Sequence, residues 1–147
     1  MAEQKLYFED VKEGDEAPAR THVLTRTDLV QYAGASGDFN PMHHDEPKAQ
    51  KAGLPSVFGH GMLSMGFLAS TLEDHVGVGN LTSLKVRFTK QTWPDNPLST
   101  HIVAKSKREE GGRGLVDYDI EVHQEIGGKH VVVVSGEATA ALPSRVS

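Results

Sequence analysis

The chain has 147 residues and no cysteine, with 37% hydrophobic residues, 24% charged residues and a formal net charge of −5. A globular chain of this length buries about 70% of its unfolded surface. The negative charge gives no electrostatic reason to expect nucleic acid or an anionic membrane as a partner. Without cysteine the chain can form neither a disulfide nor a thiolate zinc site, which is compatible with a cytoplasmic location.

Neither the N-terminus nor the most apolar stretch has the pattern of a targeting segment or a membrane span. The first eighteen residues are acidic and contain no apolar run, so we expect no signal peptide. Residues 53–72 carry no formal charge, but a proline, a histidine and several glycines interrupt them. We interpret the second half of this stretch as a buried core helix and not as a membrane span. We predict a single domain over residues 1–147.

The first half of the chain has mainly helical patterns. After a short strand expected at 19–24, Thr25 and Asp28 form a capping-box pattern, which predicts a helix that ends near Gly37. A short helix is expected over 46–51, and a long one over 62–72 or slightly beyond. The long helix is apolar on nearly all sides, so we expect it to be enclosed, with Gly66 letting another backbone approach closely.

The second half of the chain changes to a period of two residues. Apolar and polar residues alternate over 84–88, 100–107 and 116–123. Turn sequences separate these runs, and Gly127-Gly128 suits a tight hairpin before a last strand over 130–141. Helices followed by an antiparallel meander predict an α+β fold in which a curled sheet packs on the long helix.

The stretch from Tyr32 to His43 concentrates groups that can carry chemistry. Asp38 and His43 would diverge on a helix but can converge on a loop turned by Pro41. An imidazole exchanges protons near neutral pH, and a carboxylate can orient it or share the transfer. Asn40 can hold a water or a substrate oxygen. The same residues also fit a plain turn capped by Asp38, and the pattern alone leaves both interpretations open.

A second stretch, Gly59 to Met62, leads into the long helix. Gly61 would offer a free N–H, aided by the helix dipole, to a carbonyl that develops negative charge. A glycine would let a ligand approach closely, but it also suits a simple junction between loop and helix. His60 fits a ligand, a base or a structural hydrogen bond, and the last is the commonest role of a buried histidine.

Three other kinds of site are disfavoured by the sequence. A metal site built from His43, His44, Asp45 and His60 lacks a recurrent ligand spacing. No serine lies in a G-x-S-x-G elbow. The basic residues of the second half alternate with other residues, which is typical of a solvated sheet face.

The run Tyr32 to Asp45, followed by Ala49, Gly53 and Gly59-His60-Gly61-Met62, resembles the signature of the MaoC-like, or (R)-specific enoyl hydratase, family. The resemblance extends from Thr25 to about Gly66. Within the family, the chain is most similar to the B subunits of mycobacterial-type (3R)-hydroxyacyl-ACP dehydratases. Some relatives carry a serine on the helix near the catalytic pair. Ala69 takes that position here, with Ser70 beside it, so that role is not transferred.

The resemblance implies a hot-dog fold, in which an antiparallel β-sheet wraps a long central helix and the motif loop is inserted before that helix. It implies reversible hydration and dehydration of trans-2-enoyl and (3R)-3-hydroxyacyl thioesters in fatty-acid metabolism. The acyl group would be carried on CoA or acyl carrier protein, with no metal or other cofactor. It also implies a homodimer, or a heterodimer with a related hot-dog subunit.

The resemblance also implies roles for seven residues. The catalytic pair would be Asp38 and His43, supported by Asn40. The Gly61 backbone N–H would polarise the thioester carbonyl. The residues lining the substrate would be Phe58, His60 and Met62.

Two other functions stay open at this point. A hot-dog acyl thioesterase could use the same helix N-terminus and a nearby carboxylate. A non-catalytic partner subunit of a heterodimeric dehydratase would be expected to lack the pair formed by Asp38 and His43, which this sequence has.

Overall fold

A computed structural model describes residues 5–146 of the protein, so residues 1–4 and residue 147 lie outside the described residues. The helices of this part are α1 (Arg26–Ser36), α2 (Glu46–Lys51) and α3 (Gly61–Val76). Its strands are β1 (Thr21–Val23), β2 (Leu81–Phe88), β3 (Pro97–Glu110), β4 (Arg113–Ile126) and β5 (Lys129–Leu142). Short 3-10 helices span Phe8–Asp10 and Pro41–His43. None of the helices in residues 5–146 combines the length and the apolar character that a membrane crossing requires.

The strands form one antiparallel sheet in the order β1-β3-β4-β5-β2. Its centre consists of the long strands β3, β4 and β5. The predicted alternation places Ile102, Tyr118 and Ile120 on the buried face, each at most 2% exposed. A β-bulge between Val122 and His123 shifts the pairing of β4 with β5. The two-residue period therefore predicted the strands β2 to β5 and the buried face of β3 and β4 correctly. The predicted meander was wrong for β2, which pairs with β5 and not with the next strand β3, because residues 89–96 carry the chain to the other side of the sheet.

Helix α3 packs against the buried face of the sheet. Leu68, Leu72 and Val76 are at most 1% exposed and belong to the hydrophobic core. The other side of α3 is open, since Met62 is 54% exposed. The prediction that this helix is enclosed was therefore wrong for residues 5–146 of one chain, because the sheet covers only one face of α3. The close approach expected at Gly66 is also absent there, since a Cβ at this position would meet no atom within 4 Å. The antiparallel sheet and the long helix α3 packed on its buried face form the predicted hot-dog arrangement.

Helix α1 begins and ends where its sequence predicts. The Asp28 N–H donates to Thr25 Oγ1 at 3.0 Å, and the Thr25 N–H donates back to Asp28 Oδ2 at 2.8 Å. At the other end, Gly37 has φ 77° and its N–H donates to the Ala33 carbonyl at 2.9 Å. Because glycine adopts a positive φ without steric cost, the chain leaves the helix there. The next residue is Asp38.

A buried glutamine fixes the loop between β2 and β3. Gln124 is fully buried, accepts a hydrogen bond from the Trp93 N–H at 2.8 Å and donates to the Trp93 carbonyl at 2.8 Å. Next to Trp93, the carbonyl of Thr92 accepts a hydrogen bond from the Gly59 N–H at 2.8 Å. These contacts tie the residues just before α3 to the sheet and so fix the position at which α3 begins.

Candidate active site

The loop after α1 is shaped by short-range hydrogen bonds. Asp38 Oδ1 accepts from the Asn40 N–H at 3.3 Å, and Asn40 Oδ1 accepts from the Met42 N–H at 3.1 Å. The His43 N–H donates to the Asn40 carbonyl at 3.0 Å. Asn40 therefore caps the turn that carries His43. Its side-chain oxygen is used within the loop, so a contact between Asn40 and water or substrate stays a prediction.

His43 lies 7% exposed, with each ring nitrogen in a different environment. Nδ1 lies 2.6 Å from the Phe58 carbonyl oxygen, which can only accept, so Nδ1 carries the proton of the neutral ring. Nε2 is therefore left with a lone pair, and it faces Asp38 Oδ2 at 3.9 Å. This distance exceeds a direct hydrogen bond, but an oxygen atom to one side of the line between the two atoms could lie about 2.8 Å from each and so contact both. The structure thus brings together the acid and the imidazole that the sequence pairs.

His60 is 1% exposed and lies behind this pair. Its ring stacks on His43 at a centroid distance of 3.9 Å and meets the Tyr32 ring edge-on at 4.8 Å. Its Nε2 donates to the backbone carbonyl of Asp38 at 3.1 Å. Burial lowers the pKa of His60 below its ordinary value of 6.5, although the bond to the Asp38 carbonyl raises it. The burial of the ring therefore disfavours its charged form.

Gly61 is the first residue of α3, and its N–H has no hydrogen-bond acceptor within residues 5–146. A cavity of about 370 Å³ lies beside it, lined by Phe58, Gly59 and Phe88 among others. The nearest neighbour to a Cβ built at Gly61 would be the Phe88 ring, at 3.1–3.2 Å. Phe88 is 51% exposed. The alternating pattern around Phe88 predicted only a half-buried strand, and it contained no signal for this contact across the fold.

The residues predicted to line the substrate occupy three different environments. Phe58 lines the cavity beside Gly61. His60 is buried behind His43, and Met62 is exposed on the first turn of α3. Within the described part of the chain, neither His60 nor Met62 lines that cavity. Tyr32 belongs to the motif stretch but had no predicted role in the site, and the structure places it against His60.

Asp38, His43 and His60 each offer one potential metal ligand, and these atoms lie within 4.8 Å of one another. However, the planes of the two imidazoles are only 29° apart in a stacked pair. The lone pairs of ring nitrogens lie in the ring planes, so in this stack they run side by side and do not converge on one point. The geometry favours hydrogen bonding and proton transfer over chelation. The absence of a metal stays a prediction.

The site has the parts needed for acid–base chemistry next to a carbonyl group. A buried imidazole with a free lone pair faces a carboxylate, and a helix N-terminus offers a free amide. On this hot-dog framework, the arrangement defines a class of enzymes that move protons on acyl compounds. Residues 10–125 match the family model described as MaoC like domain, and the chain belongs to that family.

Sequence relatives within the family are hydratases and dehydratases. The chain is 30% identical over 141 residues to an (R)-specific enoyl-CoA hydratase of Rhodospirillum rubrum, covering 95% of this chain and 93% of that protein. It is 29% identical over 127 residues to a mitochondrial 3-hydroxyacyl-[acyl-carrier-protein] dehydratase of Arabidopsis thaliana, covering 84% and 74%. The protein is therefore a hydro-lyase of the MaoC-like family.

A solved structure shows the same fold. The unliganded R-hydratase PhaJ1 from Pseudomonas aeruginosa aligns with a TM-score of 0.82 at 24% identity, over 96% of this chain and 88% of that chain. This likeness supports the hot-dog architecture alone, since the identity is low.

Proposed function

We propose that the protein adds water reversibly to a trans-2-enoyl thioester and forms the (3R)-3-hydroxyacyl thioester. The acyl group would be carried on CoA or acyl carrier protein, as in the names of the two relatives. The observation that carries the proposal is the 3.9 Å gap between His43 Nε2 and Asp38 Oδ2. A water oxygen to one side of this gap, about 2.8 Å from each atom, would contact a base and a carboxylate at the same time. The Gly61 N–H, which has no acceptor within residues 5–146, would meet the thioester carbonyl.

The proposed hydration begins with a water molecule between His43 and Asp38. His43 Nε2 takes a proton from the water as its oxygen bonds to the β carbon of the acyl group. The electrons of the double bond move towards the thioester carbonyl, whose oxygen gains negative charge. The Gly61 N–H, at the positive end of α3, stabilises that charge. A proton from the pair then reaches the α carbon, so that one water is added and both groups return to their starting states.

Dehydration follows the same steps in reverse. His43 and the half-exposed Asp38 are suited to both directions, because neither group is consumed. We propose that no metal or other cofactor takes part. We also propose that residues 1–147 form a single domain and that the protein is cytoplasmic.

We further propose that the protein works as a dimer of like or related hot-dog subunits. Strand β2 lies at one edge of the sheet. Two large apolar side chains near the start of α3 and the end of β2, Met62 and Phe88, are 54% and 51% exposed. A second subunit next to β2 would cover them. Light scattering of the purified protein would test this, and a monomer at all concentrations would contradict it.

The test of the reaction follows the loss of enoyl absorbance with crotonyl-CoA, longer enoyl-CoAs and the corresponding acyl-carrier-protein thioesters. We expect Asp38→Asn and His43→Ala to lower kcat/KM by about 10²–10⁴-fold, the usual contribution of an acid–base group. His44→Ala is the matched control, because His44 is an exposed neighbour outside the pair. It should stay within about threefold of the wild type, as expected of a surface substitution.

Three outcomes would contradict the proposal. Wild-type rates no faster than those of Asp38→Asn and His43→Ala, on all substrates, would remove the pair from the chemistry. Release of free thiol without hydration would indicate a thioesterase. Activity that appears only when a second protein is added, and that survives both substitutions, would indicate a non-catalytic partner subunit.

A further inference from the structure

His60 contacts both members of the proposed catalytic pair, through different parts of its ring. Nε2 bonds to the backbone carbonyl of Asp38 at 3.1 Å, and the ring face stacks on His43 at 3.9 Å. We infer that His60 is a positioning residue, which holds the backbone of Asp38 and fixes the ring plane of His43. The inference rests on the proposed function for the roles of these two residues.

The tautomer of His60 follows from its partners. A carbonyl oxygen can only accept a hydrogen bond, so the proton of His60 lies on Nε2. Nδ1 is buried and has no hydrogen-bond partner in residues 5–146. A proton there would be a buried donor left unsatisfied, on a ring already next to His43. The geometry therefore keeps His60 neutral, with its single proton aimed at Asp38.

A neutral neighbour matters for His43, which must gain and lose a proton during turnover. A charged His60 stacked on it would oppose that gain, since like charges at short distance repel. The other titratable groups near His60 are Tyr32, Asp38 and His44. Burial lowers the pKa of His60, and the charge of His43 lowers it further. We therefore assign the proton that moves in the reaction to His43, while the single proton of His60 stays on Nε2 in its bond to the Asp38 carbonyl.

The orientation of His43 depends on contacts on two sides. The Phe58 ring meets it edge-on at 4.9 Å, and His60 covers its face at 3.9 Å. Rotation of the His43 ring would break the Nδ1 bond to the Phe58 carbonyl and turn Nε2 away from Asp38. A small misplacement of a reacting group can lower the rate by about 10²-fold. Contacts that prevent rotation therefore contribute to the rate without touching the substrate.

The first test uses the wild-type protein and needs no activity. Nitrogen-15 NMR of the histidine side chains reports which ring nitrogen carries a proton. We expect neutral His60 to be protonated on Nε2 only, and to become charged at a lower pH than free histidine does. We expect neutral His43 to be protonated on Nδ1. A neutral His60 with its proton on Nδ1, or a His60 that becomes charged at the same pH as free histidine, would overturn the inference.

The second test separates the two contacts with two variants. His60→Gln keeps an N–H donor for the Asp38 carbonyl but loses the stacked ring, so His43 should show a mixture of tautomers. His60→Phe keeps a ring on His43 but loses the donor, so His43 should keep its tautomer while Asp38 is released. We expect kcat to fall in both variants, by up to about 100-fold. KM should change little.

A purely structural role for His60 would give a different result. Both variants would then lose thermal stability, while the His43 spectrum and the kcat of the folded fraction would match the wild type. That result would overturn the inference. If the wild type shows no hydratase activity, the proposed function fails, while the NMR spectra still decide the contacts of His60.

Discussion

Replacing Gly61 by proline would remove the one N–H that the proposed mechanism assigns to the thioester carbonyl. The structure indicates that the helix should tolerate this change. Gly61 is the first residue of α3, where proline is common because no helical hydrogen bond is lost. The preceding residue, His60, has φ −63° and ψ 133°, which is the extended conformation that a following proline requires.

The expected effect on catalysis is large and falls mainly on kcat. Loss of one donor to a developing oxyanion costs about 10²–10³-fold in kcat, or about 2.7–4 kcal/mol. The donor acts most strongly on the charge of the transition state, so KM should change less. The cost to folding should be smaller. A Cβ at position 61 would lie 3.1–3.2 Å from the Phe88 ring, which is half exposed and can shift by a few tenths of an ångström.

Gly61→Ala is the matched control, because alanine adds the same Cβ against Phe88 and keeps the N–H. The assay is the hydration of enoyl-CoA by wild type, Gly61→Ala and Gly61→Pro, with thermal unfolding as a check on the fold. We expect the alanine variant to retain most of the activity and the proline variant to lose it. A folded Gly61→Pro protein with the same kcat as Gly61→Ala would show that the Gly61 N–H does not stabilise the oxyanion.

Two further predictions concern stability. A Cβ at Gly59 would lie 2.2 Å from Thr92 Oγ1, so Gly59→Ala should lower the free energy of unfolding in urea by about 3 kcal/mol. Adding Thr92→Ala should restore much of the lost stability, because the hydroxyl is removed and the remaining Thr92 Cβ lies 3.5 Å from the new Cβ. Thr92→Val should not restore it, because valine keeps a methyl group in place of the hydroxyl. Equal rescue by the two variants would contradict the packing argument. Burial raises the pKa of Tyr118 from 10.0 to about 12, so the stability contributed by its neutral phenol is complete below pH 10 and is lost as the pH rises towards 12. Between pH 10 and pH 12, the free energy of unfolding of the wild type should fall by at most about 2–3 kcal/mol more than that of Tyr118→Phe. An equal fall in the two proteins would contradict the raised pKa of Tyr118.

Much of the fold was predictable because its signals are local. The cap formed by Thr25 and Asp28 and the stop at Gly37 each depend on residues within one turn of α1. The two-residue period set which face of β3 and β4 is buried, and α2 matched its predicted bounds. The shape of the motif loop was also set by neighbouring residues, since Asn40 and Pro41 make the turn that brings His43 towards Asp38. These features need only the geometry of a few consecutive residues.

The rest depended on contacts between distant parts of the chain. Sequence alone left His60 with several roles, and the fold decided its surroundings by placing Asp38, His43 and Tyr32 around it. The fold likewise placed Phe88 against Gly61 and left the outer side of α3 uncovered. The sequence by itself thus determined the elements, their caps and the residues able to exchange protons. Only the tertiary structure decided which ring nitrogen faces which oxygen, because that depends on packing between segments that are far apart in the chain.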